Sequence, residues 1–178
     1  MTRLAILEFP DPRLRECARP VVNFGAPLAA TIADLAETMY AAGAIGIAAP
    51  QVGIPLRLLV LDVSAERHAP QAYVNPEVLA RDALGLVEES CLSLPGLTDS
   101  VPRATRIRVE AADARGVRTV RSLEGVAAVC LLHELDHLDG ILFLDRLPLM
   151  RRWRARRVLG RRRAAIRGGA PEGASVRA

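Results

Sequence analysis

The sequence predicts an α+β fold in which antiparallel or mixed sheets surround one central helix. Two observations favour this class. Short apolar segments separated by Pro, Gly, Asp and Asn run through residues 56–121, which is typical of strands and turns. A segment with helical periodicity follows them, and strands that precede a helix rather than alternate with helices indicate α+β. A second, strongly basic helix is predicted at the C-terminus, beginning at Pro148.

Each predicted element has its own signal. Apolar spacing predicts a first helix over residues 27–42, with Pro27 in its first turn and Gly43 after its end. Residues 43–53 contain too much glycine for a helix and are too apolar for an exposed loop, and residues 4–25, with three prolines, suit an extended arm over the surface. The remaining predictions are strands at Leu56–Val63, Ala72–Asn75, Leu86–Leu92, Arg106–Ala111 and Val117–Arg121, and a helix at about Glu124–Asp139.

Length and composition exclude several classes of protein. The 178 residues suit one domain, and 51% hydrophobic against 3% aromatic residues predicts a core of Leu, Val, Ile and Ala. Three cysteines are too few for a disulfide scaffold. No apolar run approaches the roughly 20 residues of a membrane span, and the N-terminus does not resemble a secretory signal. We therefore expect a cytoplasmic, monomeric protein with no membrane attachment.

Charge is distributed unevenly along the chain. Every one of the 24 basic residues is Arg. Residues 1–150 carry 14 Arg and 19 acids, a net −5, whereas residues 151–178 carry 10 Arg and one acid, a net +9. This asymmetry predicts a body at 1–147 and an Arg-rich tail at 148–178 that binds a polyanion.

The predicted central helix carries a metal-binding pattern, His133-Glu134-Leu135-Asp136-His137. Residues four apart share one face of a helix, so both imidazoles can reach one metal ion, with Glu134 beside it to exchange protons with water. The alternative is a pair of ordinary histidines on an amphipathic helix. It is disfavoured because the chain has only three His and two of them fall in this motif.

A catalytic site of this type needs a third protein ligand, and no His or Glu stands at a suitable downstream position. Upstream, His68 falls in a predicted loop. A thiolate is the strongest candidate type, and Cys91, at the end of a predicted strand, is better placed than Cys17 in the arm or Cys130 on the helix. The predicted ligands are therefore Cys91, His133 and His137. This set suits Fe2+, Zn2+, Co2+ or Ni2+.

Three motifs, in order and at family spacing, make the chain resemble the peptide deformylases. They are GAIGIAAPQ at 43–51, ESCLS at 89–93 and LHELDHLDG at 132–140. The resemblance covers most of residues 1–147. It implies a metal-dependent hydrolase that removes the N-formyl group from the initiator methionine of new polypeptides, with Fe2+ as the common metal.

The resemblance also implies roles for individual residues. Cys91, His133 and His137 would bind the metal, and Glu134 would act as general base and then as acid. Gln51 and the backbone N–H of Leu92 would stabilise the oxyanion, although Gln51 taken alone also suits a turn cap after Pro50.

The substrate pocket is expected beside the same helix. Its predicted apolar wall, for a methionine side chain, comprises Ile45, Val87, Val126, Val129 and Cys130. Ordinary core packing is the alternative for each of these residues taken singly. Gly46 and Glu89 are expected to meet the substrate backbone.

Two residues depart from the family pattern, since Ser90 stands where the family has Gly and Leu132 where it has Gln. Neither change removes a ligand, the base or an oxyanion donor, so we predict that hydrolysis is retained. One alternative is a paralogous metalloamidase acting on another N-formyl or N-acyl amine. The other is a nucleic-acid-binding protein with a structural zinc, which is disfavoured because no fourth ligand is apparent.

The tail has a predicted partner of its own. Residues 151–167 read RRWRARRVLGRRRAAIR, and a helix with this density of Arg is suited to phosphates. We therefore predict docking on the ribosome through Arg151–Arg167. The alternative is a solvated cationic helix.

Overall fold

The computed structural model describes residues 2–167 and 176–177, which form three α-helices and a sheet. The helices are α1 Ala26–Ala41, α2 Gly125–Leu138 and α3 Leu149–Arg167. The strands are β1 Gly46–Ala48, β2 Leu58–Leu61, β3 Gln71–Ser90, β4 Leu97–Ala112, β5 Arg118–Glu124 and β6 Val176–Arg177. Short 3-10 helices lie at Pro12–Arg15, Ala49–Val52 and Phe143–Arg146. This is the α+β class that the sequence predicts.

Strands β1 to β5 lie side by side in chain order, each antiparallel to the next, and β6 pairs with β4 in parallel. The long β3–β4 hairpin dominates the sheet. Its register pairs Val74 with Ala112 at one end and Ser90 with Thr98 at the other. Cys91 follows the last residue of β3, so the hairpin determines where its thiol lies.

Strand β3 differs from its prediction, since two short strands at 72–75 and 86–92 were expected and one strand of 20 residues is observed. The residues that join them are largely exposed on both faces of the sheet. Their strand conformation is held by backbone pairing with β4. Because neither face of this part of the strand is buried, its sequence shows no alternation of apolar and polar residues that could predict a strand.

Helix α2 runs through the centre of the molecule, as predicted. Eleven of its 14 residues are buried, and it packs against β1, β2 and β4. Its apolar residues Leu131 and Leu138 join Ile107 and Val109 of the sheet in one core cluster. A helix surrounded by apolar neighbours is held rigidly, so its polar residues have defined positions.

The N-terminal arm was expected to lie on the surface, and this prediction is wrong for part of it. Leu14, Ala18 and Val21 are at most 7% exposed, and each belongs to a core cluster. Prolines do indicate an extended chain here, but they carry no information about which side chains point inward.

Helix α3, predicted from Pro148 onward, packs on the body through one face. Ala155 and Leu159 are buried in the cluster that also contains Cys91 and Phe143. Arg151 donates to the buried Asp99 at 3.0 Å. Residues 168–175 and 178 of the predicted tail lie outside the described residues. None of the helices described is both long enough and apolar enough to cross a membrane.

Candidate metal centre

The three predicted ligands meet at one point. The sulfur of Cys91 and the ring nitrogens of His133 and His137 all lie within 4.8 Å of one another, and all three residues are buried. Cys91 Sγ is 3.2 Å from His137 Nε2. Bond lengths of about 2.3 Å to sulfur and 2.0 Å to nitrogen in a tetrahedral site would separate two such atoms by about 3.5 Å. The donor set therefore fits one divalent cation.

A hydrogen bond determines which nitrogen of His133 is available to a metal. His133 Nδ1 donates to Glu89 Oε2 at 2.7 Å, so Nε2 carries no proton in the neutral ring and faces the site. Burial alone would raise the pKa of Glu89, but hydrogen bonds from His133 and Arg103 hold this pKa at about 2. The carboxylate is therefore ionised and orients the ring.

Glu134 is the buried acid of the site. Its Oε2 has no hydrogen-bond partner among the described residues. Burial raises the pKa of this carboxyl to about 7. An unpaired carboxyl with a pKa near neutrality, next to two candidate metal ligands, is suited to general acid–base work.

A cavity of about 770 Å³ opens beside these groups, and Cys91, His133 and Glu134 are part of its lining. Every residue predicted to contact substrate also lines it, namely Ile45, Gly46, Val87, Glu89, Val126, Val129 and Cys130. Pro95, Gly96 and Thr105 line it as well. Sequence reasoning missed these three. Pro95 and Gly96 lie in the turn between β3 and β4, shortly after Cys91, whereas Thr105 reaches the cavity through the long-range pairing of the two strands.

Comparison with known proteins agrees with this geometry. Residues 3–153 match the polypeptide deformylase family. The chain belongs to this family. A peptide deformylase of Chromobacterium violaceum is 44% identical over 162 residues, which are 91% of this chain and 97% of that protein. The crystal structure of a peptide deformylase from Legionella pneumophila superposes with a TM-score of 0.89 at 40% identity, covering 96% of this chain and all of that one.

A further deformylase structure, from Ehrlichia chaffeensis in complex with actinonin, is 33% identical with a TM-score of 0.86, and covers 91% of this chain and 98% of that one. Membership of the deformylase family makes this protein a metal-dependent hydrolase. The described Cys and His cluster is its candidate metal site.

A network of ion pairs lies next to the candidate metal ligands and holds Glu89 in place. Arg103 donates to Glu89 at 2.5 and 3.0 Å and to Asp136 at 2.7 Å. Asp136 also accepts hydrogen bonds from Arg146, in the 3-10 helix after α2. Sequence analysis missed Arg103 and Arg146. The sequence did contain a signal for Arg103. This Arg stands among the inward-facing apolar residues of β4, and the motif at 132–140 carries an excess of acidic residues that need a cation.

The side chain of Gln51 has two functions: its oxygen caps a turn, and its Nε2 is a candidate hydrogen-bond donor in the site. Its Oε1 accepts from the backbone N–H of Ala48 at 2.7 Å. This bond turns Nε2 towards Ser93 Oγ at 3.4 Å and Cys91 Sγ at 3.8 Å. Leu92, the other predicted oxyanion donor, lines the cavity directly after Cys91.

Three further residues of the deformylase motifs have defined positions. Glu89 lines the cavity, but its carboxylate is turned towards Arg103 and His133, so only its backbone remains for a substrate. Ser90 is exposed at the cavity wall. Leu132 is buried in the core cluster, where an apolar side chain packs in place of the family's Gln.

Proposed function

We propose that this protein removes the formyl group from the N-terminal methionine of newly made polypeptides. One observation carries the proposal: Cys91, His133 and His137 converge beside Glu134 at an apolar cavity. The relatives named peptide deformylases support the same reaction. Because such polypeptides arise where proteins are made, we also propose that the protein acts in the cytoplasm, as a monomer.

The three ligands would hold Fe2+, the ion that the family resemblance implies, although one thiolate and two imidazoles also accept Zn2+, Ni2+ or Co2+. When bound, such an ion acts as a Lewis acid and lowers the pKa of water to about 7. Glu89 contributes by keeping His133 in the tautomer that can bind it.

Glu134 moves the protons in this proposal. As the general base, its carboxylate takes a proton from the attacking water, and as the general acid it returns that proton to the departing amine nitrogen. Burial, which raises the pKa of this carboxyl to about 7 in the metal-free protein, favours a group that can both accept and release a proton.

Gln51 Nε2 and the backbone N–H of Leu92 would stabilise the negative charge that develops on the formyl oxygen. The hydrogen bond from Ala48 to Gln51 Oε1 supports this role, because it holds the amide group in the donor orientation before substrate arrives. Loss of one such donor typically raises the barrier by about 3 kcal/mol.

The apolar residues of the cavity would receive the methionine side chain. Val129 and Cys130 come from α2, Ile45 precedes β1 and Val87 belongs to β3, so the wall is built from three sides, with Val126 at the exposed end. The backbones of Gly46 and Glu89 would meet the peptide. We propose that Ser90 and Leu132 leave the reaction intact, because neither contributes a ligand or a proton.

The test is Glu134→Gln in the metal-loaded protein, assayed with formyl-Met-Ala-Ser. We expect turnover to fall by about 10²- to 10⁴-fold while the metal content stays the same. Cys17→Ser, which changes an exposed thiol, is the matched control and should alter neither quantity. Wild-type protein that holds its metal but does not act on this peptide would contradict the proposal.

We propose that residues 1–147 carry out catalysis and that residues 148–178 dock on the ribosome. Nine Arg and no acid occur within α3, which supports an interaction with ribosomal phosphates. The full chain and an Arg154→Gln/Arg161→Gln variant should be compared by co-sedimentation with ribosomes over a salt series. Weaker and less salt-dependent binding by the variant is expected, and equal binding would contradict docking through α3.

A further inference from the structure

We propose that the outward face of α3 binds single-stranded RNA by stacking an unpaired base on Trp153, in addition to pairing its arginines with phosphates. The inference deepens the proposed ribosome docking and rests on it for its biological setting. It adds a recognition element that the charge of the tail does not by itself predict.

The body holds α3 in one orientation. Ala155 and Leu159 are buried on its inward face, and Arg151 is bound to Asp99. Arg152, also partly buried, donates to the backbone carbonyls of Asp145 and Leu147. Trp153 lies away from these contacts and is 53% exposed. The indole is therefore presented to solvent by a fixed helix.

Trp153 is already paired with a flat cation. The guanidinium carbon of Arg157, one helical turn further on, lies 4.6 Å from the centre of the indole ring. Stacked indole and guanidinium groups are the combination on which nucleic-acid bases stack, because every base has a π-face and phosphates attract the cation.

The charge of α3 selects a polyanion, since the helix contains nine Arg and no acid. Arg pairs with phosphate through two parallel hydrogen bonds, which Lys cannot do. Some of this charge is directed to the body, as Arg151 to Asp99 shows, whereas Arg154, Arg157 and Arg161 are exposed. A phosphate backbone alongside the helix would bring its bases to Trp153.

A membrane surface fits this face less well. Among the α3 residues whose exposure is described, which end at 164, the large exposed apolar side chains are Leu149, Met150 and Trp153, at the beginning of the helix. Further along, the same face carries Arg157 and Arg161. A helix that lies in a bilayer interface needs an apolar face along its length, and here Ala155 and Leu159 pack into the protein.

The intrinsic fluorescence of the full-length, metal-loaded protein provides the test, because Trp153 is the only tryptophan in the chain. Poly(A), a duplex RNA of the same length and heparin are titrated separately. We expect poly(A) to quench the emission strongly, the duplex to quench it less, and heparin to bind without this quenching. Trp153→Ala should bind poly(A) about tenfold more weakly than wild type, and Trp153→Phe should retain most of the affinity.

Arg161→Ala is the matched control on the same face. It should weaken binding of poly(A) and heparin alike, reduce the salt slope by about one and leave the quenching intact. Equal affinity of wild type and Trp153→Ala for poly(A), or equal quenching by heparin, would overturn the proposal. Tighter binding to polyglutamate than to poly(A) would also overturn it, because it would indicate that this face of α3 binds an acidic protein. Failure of ribosome docking is scored separately, by the co-sedimentation of the arginine variant.

Discussion

Four charged side chains, Glu89, Arg103, Glu134 and Asp136, occupy positions where a leucine would ordinarily be expected, and each is at most 6% exposed. A buried charge is costly unless it is paired. Arg103 pairs with Glu89 and Asp136, which leaves Glu134 as the one member of the four with an oxygen that lacks a partner among the described residues. Burial accordingly shifts the pKa of Glu134 upward, into the range where proton transfer is useful.

The paired charges predict a large effect of Arg103→Met. The substitution leaves the buried Glu89 without its guanidinium and removes one of the two arginines that pair with Asp136, so we expect a loss of about 3 kcal/mol in the free energy of unfolding. We also expect metal affinity to fall at least tenfold, because Glu89 no longer orients His133 firmly. Chemical unfolding and competition with a metal-chelating dye measure the two effects.

The control for this prediction is Arg106→Met on the same strand. The side chain of Arg106 is 56% exposed and pairs with Glu124, which is 66% exposed, so its loss should change stability by less than about 0.5 kcal/mol. Equal effects of the two substitutions would show that the burial of the Arg103 network contributes nothing.

Glu134 predicts a pH dependence in the metal-free protein. Its pKa is about 7 when folded, against an ordinary value of 4.5. A raised carboxyl pKa favours the folded state below pH 4.5, and this contribution is lost as the pH rises to about 7. Glu134→Gln has no proton to lose. Relative to wild type, the variant should therefore gain on the order of 3 kcal/mol between these pH values, measured by urea unfolding. Parallel stability curves would contradict the assignment.

Strand β1 and helix α2 approach each other closely at Gly46. A Cβ at Gly46 would lie 2.6 Å from Cys130 Sγ and 2.8 Å from Glu134 Oε1. Only glycine allows the strand to pack at this distance from the helix that carries the catalytic pattern. Gly46 is thus required by the proximity of α2, whereas Gly43 and Gly53 of the same segment are exposed and have positive φ angles of 69° and 77°.

This contact predicts that Gly46→Ala is destabilising by about 1–3 kcal/mol and lowers turnover, because β1 and Glu134 must move apart. Adding Cys130→Ala removes the nearest atom and should recover part of the lost stability. Gly160→Ala is the control, since nothing lies within 4 Å of its Cβ position and alanine favours a helix. Thermal unfolding of the three variants decides the matter; equal loss for Gly46→Ala and Gly160→Ala would refute the close approach.

At the scale of the whole molecule, the candidate ligands connect parts of the fold that are distant in sequence. Cys91 belongs to the core cluster formed with the N-terminal arm and α3, whereas the residues of α2 next to the candidate ligands His133 and His137 pack against the sheet. A cation bound by all three ligands joins these layers, and it can do so only in the folded state.

Metal removal is therefore predicted to lower the stability of the entire fold. A ligand at 1,000 times its dissociation constant stabilises the native state by about 4 kcal/mol, so chelation should lower the free energy of unfolding by about this amount, and added metal should restore it. Cys91→Ser should abolish most of the difference between loaded and metal-free protein. Cys17→Ser should preserve it, because that thiol is exposed and does not belong to the cluster. Identical stability with and without metal would contradict a ligand role for Cys91.

Features that depend on local spacing are already apparent in the sequence. The i, i+4 interval of His133 and His137, the apolar periodicity of α1 and α2, and the ordered motifs around Gln51 and Cys91 are all legible without coordinates, and they are enough for the fold class and the family. Contacts across the fold required the three-dimensional structure. They include the pairing of Arg103 with Glu89 and Asp136, and the same holds for the burial of Leu14 in the arm and the exposure of Trp153 on a docked helix. The physical reason is that burial and charge pairing depend on neighbours far away in the chain, which no short window of residues contains.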